Sequence, residues 1–243
     1  MKHILEGNIS VKAAILAQRR KVEQILVDEQ KHDRDTRFII AQAAKRGIPV
    51  RKMKRTHIDE LACGKTHGGL LAECSERSYQ SIDDYRDQHQ LFLALIEGIE
   101  DPFHFGDMLR SFYAAGCDGV IIPPRNWTSA AAVIAKASAG ASEYIDLIIA
   151  DDMESLLAQC HHQHIQVVCA LRNETAINVY DYRFPDKTIL AIGGAMRGLS
   201  KAVTSACDQS VYIPYANDFR NAMSASGSAA ILAFEHFRQR RKP

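Results

Sequence analysis

Residues 188–199, TILAIGGAMRGL, run a short apolar segment into a turn with three glycines. Thr188 to Ile192 shows no polar alternation, so as a strand it is buried on both faces. Gly193, Gly194 and Gly198 space the following turn G-G-x-x-x-G. Apolar runs of the same kind recur at Leu91 to Ile96, Gly119 to Ile122, Asp146 to Ala150, Ile165 to Leu171 and Val211 to Ile213. Helical periodicity fills most of the gaps, at Phe105 to Ala115, Ser129 to Ala139 and Met153 to Cys160. A terminal helix over Met223 to Phe237 runs into basic residues, which suit the negative end of its dipole. This alternation predicts an α/β domain over 91–243: a mostly parallel sheet with helices on both faces.

The residues before it read differently. Ile9 to Gln18 and Asp35 to Arg46 are helical, the second stopped by Gly47. Val22 to Val27, Ile48 to Val50 and Gly68 to Cys74 are short strands, and Thr56 with Asp59 approaches a capping box. A small α/β domain over 1–75 follows, with 76–90 as a polar linker.

The 243-residue chain is 47% hydrophobic and 24% charged with a formal net charge of +1, which excludes a disordered chain. No apolar run approaches the roughly 18 residues of a membrane span, and the start lacks a secretory pattern, so a cytoplasmic location is expected. Six cysteines without a C-x-x-C pair fit buried free thiols better than disulfides or zinc. Cys160-His161-His162-Gln163-His164 reads as a polar turn and not a metal site, because adjacent histidines point apart. Trp127, before Thr128-Ser129, reads as a packing or interface residue at a helix start.

Charge is unevenly distributed. Residues 1–80 hold sixteen Lys and Arg against ten Asp and Glu. Arg19, Arg20 and Lys21 form one cluster, and Arg51, Lys52, Lys54 and Arg55 another, with the pair Lys45-Arg46 between them. Such clusters suit a polyanion, through phosphate neutralisation, or form a solvated face; composition leaves both open.

In a parallel sheet ligands gather beyond the carboxyl ends of the strands. Three loops have that position: Gly98 to Arg110, Gly193 to Leu199, and Ile213 through Ser226. The second is spaced G-G-x-x-x-G, follows a late strand and lacks an acid placed for a ribose, so it is not a dinucleotide fingerprint.

The stretches EDPFHFGDMLRSFYAAGCDGVII, LAIGGAMRGLSKAVTSACDQSVYIP and AMSASGSAAILAFEHFRQR resemble, in order, the three motifs of the SpoU/TrmH family of RNA 2′-O-ribose methyltransferases in the SPOUT superfamily. The first third, closing in HGGLLAE, resembles the small RNA-binding domain that precedes the catalytic domain in longer members. The resemblance implies a carboxyl-terminal deep trefoil knot, a homodimer through the knotted domain, S-adenosyl-L-methionine as cofactor, and structured ribosomal or transfer RNA as substrate. It places cofactor contacts at Gly193, Ile213 and Met223, and RNA contacts at the two basic clusters.

The chain departs from the family pattern at three polar positions. His104 stands where the first motif has Asn, Ala195 where the second has Glu, and Ser224 where the third has Asn. Arg110 and Ser226 match, and Asn221 sits in a loop one residue longer than usual. The implied catalytic set is therefore Arg110, His104, Ser224 and Ser226. Arg110 suits a phosphate, and His104 suits the substrate hydroxyl or its proton. The alternative is a catalytically impaired RNA- or cofactor-binding protein of the same fold.

Overall fold

The computed structural model describes residues 3–125 and 130–241. Trp127 and Thr128-Ser129 lie outside the described residues, as does Lys242. The chain divides into two compact units, one from residues 1–78 and 126–144, the other from 79–125 and 145–243.

The first unit is built on four strands, β1 (His3–Glu6), β2 (Val22–Asp28), β3 (Val50–Met53) and β4 (Leu70–Cys74), in the order β1-β4-β2-β3. β4 runs antiparallel to both neighbours, and β3 lies parallel to β2 on the outer edge. Side chains alternate strictly. Leu5, Ile25, Val27, Leu70 and Ala72 enter one core with Val11, Ile15, Ile39 and Ala43 of helices α1 (Gly7–Ala17) and α2 (Arg34–Lys45). Leu26 and Leu71 turn the other way, against Ile58 of α3 (Arg55–Leu61). The expected capping box does not form. Lys54 holds the N-cap of α3, and Asp59 is drawn away by Arg55 Nε at 2.8 Å and His67 Nε2 at 3.1 Å.

The domain division differs from the sequence reading in one respect. Helices α5 (Ala131–Ala137) and α6 (Ala141–Tyr144), expected in the second domain, belong to the first unit. Ala135 is buried in the core beneath α1, and Glu143 of α6 accepts two hydrogen bonds from Arg20, at 2.7 and 2.9 Å. Both side chains of this forked pair are nearly sealed, 5% and 2% exposed, so losing either partner would strand a buried charge.

The second unit carries seven strands, all parallel: β5 (Leu91–Glu97), β6 (Gly119–Ile122), β7 (Asp146–Ile149), β8 (Gln166–Ala170), β9 (Ile177–Asn178), β10 (Lys187–Gly193) and β11 (Gln209–Tyr212). Their order is β7-β6-β5-β10-β8-β11-β9, so β10 enters late between β5 and β8. Odd-numbered residues such as Leu93, Leu95, Val167, Ile189 and Ala191 pack with Leu157 of α7 (Met153–His162) and Val203 of α8 (Lys201–Ser205). Phe92, Ala94, Leu190 and Ile192 point the other way and are also buried, on the side of α4 (Pro102–Ala114) and α9 (Ala225–Arg240). Two buried faces explain the unbroken apolar runs. The expected linker is partly core, because Ile82 and Tyr85 of a short 3-10 turn pack into the first of these layers. No helix of the described residues is long and apolar enough to cross a membrane.

His236 of α9 is a buried ring stacked on Phe92 at 3.8 Å, with its Nε2 unpartnered. Burial pushes its pKa down to about 3. Between about pH 3 and pH 6.5 the unfolded chain takes up a proton that the folded chain refuses, so His236 costs stability progressively as pH falls through that window and costs none above it. His236→Phe keeps the stack and removes this cost. Urea unfolding should show the variant gaining on the wild type by up to a few kcal/mol at about pH 4 relative to about pH 7.5, at roughly 1.4 kcal/mol per pH unit.

Candidate functional site

Between β5 and β10 the strand order reverses, and the loops leaving their carboxyl ends lie side by side. After β5, Asp101 caps α4 by accepting from Phe103 N–H through Oδ1 at 2.7 Å, and Pro102 takes the first helical position. After β10, the 193–200 turn folds back on itself. Gly198 N–H donates to the Gly194 carbonyl at 2.8 Å, and Gly194 N–H donates to the Glu97 carbonyl at 2.8 Å. A Cβ on Gly194 would sit 2.0 Å from the Gly98 carbonyl oxygen, and one on Gly193 would sit 2.4 Å from the Gly198 carbonyl carbon. Glu97 ties the far end as well, its carboxylate accepting from Ser200 N–H at 2.7 Å and Ser200 Oγ at 3.1 Å.

The third loop joins β11 to α9, where Ser224 is the N-cap and accepts from Gly227 N–H at 3.1 Å. Tyr215 Oη accepts from Met223 N–H at 3.0 Å, and the Arg172 guanidinium lies 4.4 Å from the centre of its ring. Tyr215 therefore pins the backbone just before α9.

Two cavities open among these loops. One of about 360 Å³ is lined by Gly98, Asp101, His104, Ala195, Arg197 and Ser224, among others. His104 Nε2 stands 3.8 Å from Asp101 Oδ2, the oxygen not occupied by the helix cap, and Arg197 pairs with Glu100 at 3.3 Å on the rim. The other, of about 300 Å³, is lined by Leu171, Arg172, Ile213, Tyr215, Asn221, Met223 and Leu232, among others. Met223 lines this second cavity and Ser224, the next residue, lines the first.

His104, Ala195 and Ser224, singled out separately in the sequence, thus share one cavity, while Ile213 and Met223 share the other. Gly193 lies in the floor of the turn and lines neither. Arg110 is exposed further along α4, and Ser226 is half-buried in the first turn of α9; neither is part of a cavity wall. Asn221 faces the smaller cavity and not His104. Tyr215 and Glu97 escaped the sequence reading. Tyr215 had a legible signal, its place directly after the Ile213-Pro214 turn, whereas nothing around Glu97 marks its double tie.

The basic clusters of the first unit fare unequally. Arg20 is consumed by Glu143 and is not available to a ligand. Lys21 pairs with Glu23 at 2.8 Å. Arg55 is held by Asp59 and lies 3.7 Å from Asp28. Arg51, Lys52 and Lys54 are exposed on and just beyond the edge strand. Arg51 is level with Leu26, near the end of β2, and Lys21 precedes its start, so the clusters sit at opposite ends of the sheet and form no common patch.

The SpoU rRNA Methylase family model matches residues 91–234, and the model described as RNA 2′-O ribose methyltransferase substrate binding matches residues 4–80. A TrmH family tRNA/rRNA methyltransferase of Staphylococcus aureus (strain COL) is 28% identical, over 98% of this chain and 96% of its own. A tRNA/rRNA methyltransferase of Mycobacterium ulcerans (strain Agy99) is 30% identical, over 83% of this chain and 66% of its own. Among solved structures, an RNA 2′-O ribose methyltransferase superposes with a TM-score of 0.80 at 22% identity, covering 98% of this chain and 89% of its own. The SpoU methyltransferase AviRb from Streptomyces viridochromogenes, in complex with the cofactor AdoMet, gives 0.79 at 20% identity, covering 98% and 90%.

The close main-chain contact at Gly194 is directly testable. Gly194→Ala must move the 193–200 turn away from Gly98, at a cost of about 1–3 kcal/mol or more. A lower thermal midpoint and faster amide exchange at Gly198 and Ser200 are the expected readouts, with the β5 to β8 core unaffected.

Proposed function

The chain belongs to the SpoU rRNA Methylase family, and we propose that it transfers a methyl group from S-adenosyl-L-methionine to a ribose 2′-hydroxyl of ribosomal or transfer RNA. The observation that carries this reading is that two cavities open among the loops beyond the strands' carboxyl ends, one lined by Met223 and the other by the next residue, Ser224. The smaller cavity suits the cofactor: Leu171, Ile213 and Leu232 offer an apolar slot for adenine, and the backbone at Ile213 and Met223 borders it. The family match over 91–234 and the substrate-binding match over 4–80 support the same division of labour.

When bound, the cofactor supplies a methyl group already activated as a sulfonium. The chain must then orient the ribose and relieve its hydroxyl of a proton. His104 Nε2 accepts that proton, and Asp101 Oδ2 at 3.8 Å stabilises the imidazolium that results. Ser224 and Ser226 supply hydroxyls near the start of α9. Arg110, exposed on the same helix as His104, binds an RNA phosphate and cannot act as a base. Arg51, Lys52 and Lys54 add phosphate contacts from the first unit.

The late insertion of β10 between β5 and β8 accords with a trefoil knot closed by the 193–240 segment. Exposed Phe103 and Tyr113 on α4, with Phe234 and Phe237 on the helix packed against it, accord with a homodimer through this domain. A cytoplasmic site of action follows from the substrate.

Methyl transfer from tritiated cofactor into RNA, with nuclease mapping of the product, tests the reading; label on a base would overturn it. His104→Ala should lower turnover by about a hundredfold or more and leave cofactor affinity within about twofold; unchanged turnover would remove His104 from the chemistry. Tyr215→Phe deletes one hydroxyl and should raise the cofactor Kd by about three- to tenfold. Isothermal titration would expose an inert hydroxyl as an unaltered Kd.

A further inference from the structure

Resting on the reading of the first unit as the RNA-binding part, we infer that the outer face of α2, with Lys12 of α1, grips the RNA, taking phosphates on Arg34, Arg37 and Lys45 and an unpaired base on Phe38. Thr36, Ile39 and Ala43 are the buried side of α2. Arg34, Phe38, Ala41 and Lys45 recur on the opposite side at helical spacing, with Arg37 beside them, and all five are exposed.

Folding pairs four of the unit's other cations with carboxylates. Arg20 pairs with Glu143, Lys21 with Glu23, Lys31 with Asp33, and Arg55 with Asp59. The side chains of Arg34, Arg37 and Lys45 make no hydrogen bond or ion pair among the described residues. Asp35 lies about a quarter-turn off the stripe. Asp33, at the head of the helix, is occupied by Lys31 at 2.7 Å, Thr36 N–H at 2.9 Å and Asn8 at 2.9 Å. The stripe is thus cationic with no acid along its centre, and a polyanion relieves its self-repulsion.

Phe38 sets this face apart from a merely solvated one. Its ring is 39% exposed in the middle of the stripe, and Lys12 Nζ sits 5.0 Å from its centroid. A ring held by one cation and flanked by others is a stacking platform for a base whose phosphates those cations neutralise. Ala41, one turn on, leaves the approach open. The sequence reading noted Lys45 only beside Arg46 and passed over Arg34 and Arg37, which lie two turns or more before it and form no run.

The test is binding of the full chain to labelled ribosomal RNA transcripts and bulk transfer RNA across a potassium chloride series. The triple variant Arg34→Ala, Arg37→Ala, Lys45→Ala should bind at least tenfold more weakly, and its slope of log affinity against log salt should fall by about two. Phe38→Ala should lose about tenfold with the slope unchanged, a split that neither a fold defect nor a general charge effect produces. Ala41→Glu, a helix-compatible change, should abolish binding, with circular dichroism confirming the helix. Wild-type affinity and slope in the triple variant would overturn this inference and leave the methyltransferase reading standing. Failure of the wild type both to bind and to methylate RNA would overturn the two together.

Discussion

The organisation of the second unit depends on two stretches of backbone passing with no side chain between them. At Gly194 and Gly98 the chain leaving β10 lies against the chain leaving β5, so close that a single methyl group would collide with a carbonyl oxygen. This contact holds the start of the 193–200 turn against β5, and Glu97 ties the turn at both ends with its carbonyl and its carboxylate. Ala195 and Arg197 consequently project into the same space as His104.

Much of this was legible because the physics is local. Strands buried on both faces must be apolar throughout, so the runs at 91–96, 119–122 and 188–192 announced a covered parallel sheet. Elements whose stability is not local escaped. β9 has two residues and exists only by pairing with β11, and α6 spans four residues held by Arg20. Spacing suggested a capping box at Thr56 and Asp59, but Asp59 had a better offer from Arg55 and His67. The placing of 131–144 in the first unit was invisible for the same reason: the Arg20–Glu143 pair spans more than half the chain, and nothing near either residue points to the other.

Charge shows the sharpest limit of sequence reading. A run of Lys and Arg in the chain says nothing about which members find carboxylates, and here the runs at 19–21 and 51–55 are partly neutralised by Glu143, Glu23 and Asp59. The cations left without partners include ones that no run contains, because helical spacing distributes them one per turn. Clustering in sequence and clustering on a surface are therefore different quantities, and only the second matters to a polyanion.

Under the proposed reading, the placement of His104, Ala195 and Ser224, which depart from the motifs the sequence resembles, bears on whether the site has decayed or changed. Random loss of function would scatter substitutions over donor and acceptor regions alike. Instead His104, Ala195 and Ser224 all line the 360 Å³ cavity, while Ile213 and Met223 keep their places around the other. The substitutions are also chemically compensating. A carboxylate is absent at 195, but Asp101 offers a free oxygen to His104, and an imidazole in place of an amide adds a proton acceptor where the acid has gone. Ser224, smaller than Asn, still caps α9 through its hydroxyl. Confined to one cavity, with Asp101 beside His104 and the helix cap kept at Ser224, the set fits the proposed acceptor site built around histidine better than an abandoned one.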